Sequence, residues 1–245
     1  MISLFKKKEN TSFENNFIKV DIHSHLLPGI DDGCKNIEES ITCIRNLKEK
    51  GYQKLIVTPH VISGFYENTP QIITDKLQEV RNAVAHHGID IQIEAAAEYY
   101  LDEYFISLID SEERLLTFGK NYVLIELGFY NEPVQLASTV FALLSNGYKP
   151  VLAHPERYLY IYNQFDKVKE WIEKGLLMQI NLLSLLGYYS PAAQQFSERL
   201  IEEEMVSFVG TDAHNPKHLE ALSQIYNNKY FLKLAESKLL NNTLI

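Results

Sequence analysis

From Phe17 onward the chain repeats one pattern, a short apolar run followed by a longer segment with helical spacing. The runs occupy residues 17–22, 54–57, 91–97, 122–127, 150–153, 176–180 and 206–209. Amphipathic stretches over 37–50, 70–87, 133–146 and 165–174 stand between them, closed by Gly51, Gly88, Gly147 and Gly175 as left-handed C-caps. Two more, 191–204 and 216–226, start with proline, whose missing N–H costs nothing in a first helical turn. Continuous apolar strands alternating with helices predict an α/β fold whose parallel sheet is covered by the helices. Seven repeats suit a closed or nearly closed barrel, and an open doubly wound sheet is the alternative.

The 245 residues are 46% hydrophobic, enough for one large core, so residues 17–245 are expected to form a single domain. Residues 1–16 include Lys6, Lys7 and Lys8 and carry no periodicity, and are read as a flexible basic tail. No stretch reaches the roughly 20 apolar residues of a membrane span, and no signal peptide is legible, so the expected compartment is the cytoplasm, without stable membrane insertion. Cys34 and Cys43 are the two cysteines, too few for a disulfide framework. A net charge of −9 argues against nucleic-acid binding. The sequence leaves the oligomeric state open.

Ligand-type residues stand at the ends of the apolar runs: Asp21-Ile-His23-Ser-His25 with Asp32 following, Thr58-Pro59-His60, Glu98, Glu126, His154-Pro155-Glu156-Arg157, and Asp212-Ala213-His214. On extended backbone the i, i+2 pairs His23/His25 and Asp212/His214 each point to one side and can chelate one ion. A carboxylate closing an apolar strand, as Glu98 and Glu126 do, is costly to bury without a cation or hydrogen-bond partners. Convergence of several strand ends favours the barrel over the open sheet. Imidazole and carboxylate without thiolate suit Mn²⁺ first, with Fe²⁺ or Zn²⁺ possible. Three divalent ions held by Asp32, Glu98, Glu126, Asp212 and neutral histidines would leave an excess of about +2, matched to a phosphate monoester dianion. The nucleophile would then be hydroxide generated at the metals, and Arg157 would clamp the phosphate.

With these motifs assembled, the chain resembles the PHP (polymerase and histidinol phosphatase) superfamily. Within it, the resemblance is to the bacterial metal-dependent tyrosine phosphatases of capsular and exopolysaccharide loci. The signature is Asp-Ile-His-Ser-His-Leu-Leu-Pro-Gly-Ile-Asp-Asp-Gly, supported by Thr-Pro-His, His-Pro-Glu-Arg and Asp-Ala-His-Asn, spanning about residues 17–240. The resemblance implies a distorted seven-stranded (β/α) barrel, TIM-like and of the PHP type, with up to three metal ions. It implies that His23, His25, Glu98 and Asp212 hold one ion and that Glu98 bridges to a second with Glu126 and His154, while Asp32, His60 and His214 complete the set. Arg157, His60 and Asp212 are the residues expected at the reaction, and Arg157, Lys217 and Tyr66 are expected to bind substrate. The implied substrate is phosphotyrosine on a bacterial tyrosine kinase that regulates polysaccharide synthesis. Two departures stand out. Basic residues common after the Thr-x-His strand are replaced by Val61-Ile62-Ser63-Gly64-Phe65-Tyr66, and an arginine after the Asp-x-His-Asn motif gives way to Lys217 and His218.

A cysteine-based phosphatase is excluded by spacing, since Ser40 and Glu49, not arginine, stand six residues after Cys34 and Cys43. The competing readings are a phosphatase for histidinol phosphate or another small molecule, a nuclease, which the acidic charge disfavours, and a non-catalytic regulatory binding module.

Overall fold

Nine parallel strand segments arise from the seven apolar runs among the described residues, because two runs resume after a break in a second segment that begins with a ligand-type residue. The computed structural model describes residues 16–111 and 113–245. The expected tail therefore lies outside the described residues except for Asn16, which is buried, with its amide donating to the Lys50 carbonyl and accepting from the Ile18 N–H.

The strands are β1 (Val20–Asp21), β2 (Lys54–Val57), β3 (His60–Val61), β4 (Gln92–Ala95), β5 (Glu98–Tyr100), β6 (Tyr122–Glu126), β7 (Lys149–Ala153), β8 (Leu177–Asn181) and β9 (Phe208–Gly210). The helices are α1 (Ile37–Glu49), α2 (Pro70–His86), α3 (Glu103–Asp110), α4 (Leu136–Ser145), α5 (Asp166–Glu173), α6 (Pro191–Glu202), α7 (Pro216–Leu222) and α8 (Lys229–Leu234). The alternation is thus that of an α/β fold with parallel strands. The helices start where side chains accept their free N–H groups: Asn36 for α1, Thr69 for α2, Ser190 for α6 and Asn215 for α7. Helix α4 begins three residues later than the periodicity suggests, after a turn at Pro133. Among the described residues no helix is long and apolar enough to cross a membrane.

Strand pairing is divided between two sheets, of order β1-β2-β4 and β3-β5-β6-β7-β8-β9, rather than running through one continuous seven-stranded ring. The division falls at Thr58-Pro59 between β2 and β3, where proline has no N–H to give, and at Ala96-Ala97 between β4 and β5. Backbone bonds still cross both breaks, from Ala96 N to Val57 O at 2.9 Å and from Glu98 N to Pro59 O at 3.0 Å. The outer strands of the two sheets, β1 and β9, are joined largely by side chains. Asn241 donates to the carbonyls of Val20 and Val209, and Asp21 accepts from the Thr211 N–H and hydroxyl. Farther along, Asp212 N and His25 N donate to the carbonyls of His23 and Ala213.

Alternation along the strands sorts the apolar residues into two clusters. Val20, Ile22, Ile56, Leu124, Val151, Ala153 and Phe208 pack among themselves, and Leu55, Val57, Val123, Ile125, Leu152 and Val209 pack in the larger cluster that includes residues of the helices. Each valine, isoleucine, leucine or phenylalanine among them contributes roughly 1.5–3 kcal/mol on burial. Truncating the fully buried Leu124 to alanine would cost about 2–5 kcal/mol. The smaller cluster is the floor on which the polar strand ends stand.

Candidate metal centre

The polar residues that follow or begin the strand segments meet at one end of the sheets. His23 and His25 follow β1, His60 opens β3, Glu98 opens β5, Glu126 closes β6, His154 follows β7, and Asp212 and His214 follow β9. Register brings two of them side by side, because His60 pairs with Glu98 across β3 and β5. His154 and Asp212 have left-handed backbone, with φ of 32° and 49°, which turns the chain sharply just past its strand. Asp32 arrives on the loop before α1 with its side chain half exposed, whereas the side chains of His23, His25 and Glu98 are fully buried.

Glu98 is the hub. Its Oε2 lies 3.1 Å from His23 Nε2, 3.3 Å from His25 Nε2 and 3.2 Å from His60 Nδ1, while Oε1 lies 3.2 Å from His154 Nε2. Glu126 approaches His60 and His154, each at 3.7 Å. Asp212 Oδ1 is 3.5 Å from His23, 3.4 Å from His25 and 3.5 Å from His214, and Asp32 reaches His60 at 3.5 Å and His214 at 3.3 Å. Four overlapping groups have donor atoms close enough to share an ion: His25/Asp32/His60/His214, His23/His154/Asp212, His23/His25/Glu98 and His60/Glu98/Glu126. All nine residues expected to be ligands are therefore brought together.

The chemistry of the donors fits divalent cations. His23 Nδ1 lies 2.9 Å from Gln179 Oε1 and His25 Nδ1 lies 2.8 Å from Asp31 Oδ2, so in the neutral rings both Nδ1 atoms carry the proton. Their bare Nε2 atoms then face each other at 3.3 Å, which two lone pairs do not favour without a cation between them. The electrostatics agree. Burial opposes ionisation of Glu98, yet His23 and His60 hold its carboxyl well below the usual range, and His23 and His214 do the same for Asp212. Burial likewise disfavours a cationic His23, but Glu98 and Asp212 raise it to about 9. This part of the cluster draws in positive charge. Across from it, burial and the charge of Glu98 push Glu126 well above its ordinary range, and burial and Arg157 push His154 down to about 4.

Above this floor opens a cleft of about 820 Å³, walled by Ile62, Phe65, Tyr66, Tyr100, Phe129, Tyr130 and Tyr189. Arg157, in the short turn Pro155–Arg157, has its guanidinium 4.8 Å from the centre of the Phe129 ring and 4.5 Å from that of Tyr189. The Tyr66 ring stacks on His60 with an interplanar angle of 12°. Of the three residues expected to bind substrate, Arg157 and Tyr66 line the cleft and Lys217 does not. Lys217 is exposed in the first turn of α7, and its neighbour His218 takes the place at the wall, with Nδ1 3.3 Å from the Asp212 carbonyl. Sequence reasoning does not single out Asp31, Gln179, Asn181 or Tyr189. The available signal is two amides, Gln179 and Asn181, at i and i+2 in an otherwise apolar strand.

Comparison with known proteins follows the same line. The sequence profile of the family described as capsular polysaccharide synthesis, CpsB/CapC, matches residues 19–241. The chain is 31% identical over 198 residues to tyrosine-protein phosphatase YwqE of Bacillus subtilis, covering 81% of this chain and 78% of that protein. It is 27% identical over 237 residues to tyrosine-protein phosphatase CpsB of Streptococcus pneumoniae, covering 91% and 96%. Crystal structures of YwqE and CpsB, described as unique metal-dependent tyrosine phosphatases, include a chain that superposes with a TM-score of 0.81 at 29% identity, covering 92% of this chain and 90% of that one.

Proposed function

The chain belongs to the CpsB/CapC family of capsular polysaccharide synthesis, and from that membership and the site we propose that it is a metal-dependent protein-tyrosine phosphatase. In this reading its substrate is phosphotyrosine on a bacterial tyrosine kinase that regulates capsular or exopolysaccharide synthesis. The observation that carries the proposal is the convergence of five histidines and four carboxylates beneath an aromatic cleft with Arg157 at its edge. Residues 17–245 act as one domain, and the two sheets are read as a single distorted seven-unit barrel, supported by the backbone bonds that cross its breaks and the side chains that join β1 to β9. A cytoplasmic location suits the free thiols of Cys34 and Cys43.

His23, His25, Glu98 and Asp212 would hold one ion, Glu98, Glu126 and His154 a second, and Asp32, His60 and His214 a third, with Mn²⁺ the proposed metal. When bound, such ions supply a hydroxide nucleophile at neutral pH and neutralise the phosphoryl oxygens. Arg157 adds a fixed cation to which phosphate oxygens can bond in pairs, and its two aromatic neighbours limit its swing. The hydrophobic walls bind an aryl group and exclude water from it, which supports an aryl phosphate over an aliphatic one. Phe65 and Tyr130, 82% and 75% exposed, extend that wall outward to the residues flanking a phosphotyrosine.

The test is hydrolysis of a phosphotyrosine peptide beside histidinol phosphate by chelator-stripped protein, with and without Mn²⁺, and with His154→Ala as control. Metal-dependent peptide turnover that disappears in the variant is the expected result. Activity confined to histidinol phosphate would overturn the substrate, and no activity on either would overturn the enzyme.

A further inference from the structure

Strand β8 supplies no ligand-type residue, yet Gln179 and Asn181 put two fully buried amides against the ligands of its neighbours. The orientation of both amides can be worked out from either end. The backbone N–H of His154 can only donate, and it lies 3.3 Å from Gln179 Oε1, so oxygen faces it. The same oxygen lies 2.9 Å from His23 Nδ1, which must therefore donate, leaving Nε2 as the nitrogen that can bind an ion once the ring is neutral. At the other end an ionised Asp212 can only accept, so the group 2.7 Å from its Oδ2 is the Asn181 NH₂. That orientation leaves Asn181 Oδ1 to accept from Gln179 Nε2 at 3.0 Å. Both ends require the same direction.

We infer that Gln179 and Asn181 form a one-directional amide relay that positions His23 and Asp212 as ligands of a single ion, His23 through Nε2 and Asp212 through Oδ1. The inference rests on the metal reading of the site. Asp212 Oδ2 is already committed, since it also accepts from Arg157 Nη1 at 3.2 Å and from the Tyr189 hydroxyl at 3.3 Å. Only Oδ1 faces the histidines. Gln179 and Asn181 touch no substrate and act through the ligands they hold. Partners of this kind alter metal affinity by about 10- to 100-fold.

The experiment titrates chelator-stripped wild type, Gln179→Met and Asn181→Leu with Co²⁺ against a competing chelator, reading ions bound per chain, the visible spectrum and the Tm of the metal-free protein. The expected result is a loss of about 10- to 100-fold in affinity for one ion, with altered visible bands, while the remaining uptake and the metal-free Tm stay close to wild type. Unchanged affinity and spectrum would overturn the inference, and so would an equal loss of every ion with a collapsed Tm. A measurement on wild type needs no variant: in Zn²⁺-loaded protein, ¹⁵N spectra of the His23 ring should show Nε2 bound and Nδ1 protonated, and the opposite pattern would also overturn it. Wild type that binds no ion would remove the metal reading and this inference together, whereas metal uptake without peptide hydrolysis would leave the inference standing.

Discussion

Arg157 donates from Nη1 to Asp212 Oδ2 at 3.2 Å, so the cation proposed to grip phosphate is tied to the carboxylate proposed to grip metal. The tie fixes one arm of the guanidinium, and the rings of Phe129 and Tyr189 hold its plane. Lysine could keep the charge but neither the fork nor the stacking. Arg157→Lys is expected to lower kcat/KM on a phosphotyrosine peptide by about 100-fold while metal content stays at the wild-type level. Steady-state kinetics with metal analysis checks both halves, and a loss of metal in step with activity would refute the division of labour.

Metal removal should weaken the fold. Without cations, Glu98 and Asp212 remain buried among imidazoles that must take up protons to balance them. Each ion bound at about 100 times its Kd adds about 2.7 kcal/mol, so calorimetry should show Tm rising by about 5–10 °C per ion as Mn²⁺ is restored. A Tm indifferent to chelator and to Mn²⁺ would contradict the fit of this cluster to metal.

Gly33 offers a steric test of the loop that carries Asp31 and Asp32. A Cβ there would lie 2.1 Å from the His25 carbonyl oxygen and 2.5 Å from its Cβ, and backbone cannot step aside as a side-chain tip can. Gly33→Ala is expected to cost about 1–3 kcal/mol in urea denaturation. It should also reduce uptake of the ion assigned to Asp32, because Gly33 N donates to Asp31 Oδ1 at 2.9 Å and a shift at Gly33 displaces the turn that carries both aspartates. Wild-type stability and full metal content in this variant would show that the loop yields more readily than its contacts imply.

Lys50, remote from the metal cluster, gives a pH signature. Burial pulls its ammonium below the ordinary lysine value, although its Nζ donates to the Ser223 hydroxyl at 2.9 Å. With the folded-state pKa depressed, the unfolded chain binds more protons between that value and about 10.4, so the contribution of Lys50 to stability rises with pH across this window. Below the window the group is charged in both states and its burial counts against the fold. The stability of wild type relative to Lys50→Met should therefore increase as pH rises toward 10, as read by denaturant unfolding at several pH values. A difference that stays flat or falls would rule this out.

The proposed ligands are legible in the sequence because strand geometry is short-range: i, i+2 places His23 with His25, and apolar runs announce where a strand ends. Asp212 and His214, divided by the left-handed turn at Asp212, instead fall into different donor groups. Glu98 and Glu126 are legible for the same reason. The position of Lys217 is not, since whether a residue in the first turn of α7 faces the cleft depends on how that helix lies, and His218 faces it instead. Of the adjacent pair Asp31 and Asp32 the sequence reading names only Asp32, which lies between His60 and His214, and it gives no role to Asp31, which lies behind His25. Helices α3 and α8, of 8 and 6 residues, are too short to show a convincing period. Division of the strands into two sheets depends on pairing between distant segments, which local pattern does not encode.

His154 and Asp212 stand in left-handed backbone that non-glycine residues occupy at a cost of about 1–3 kcal/mol each. Glycine would relax the chain at either position and delete a side chain assigned to the proposed metal centre. Selection for thermal tolerance in the absence of metal would therefore drift toward glycine at both, and a homologue that has abandoned catalysis should reveal it there first.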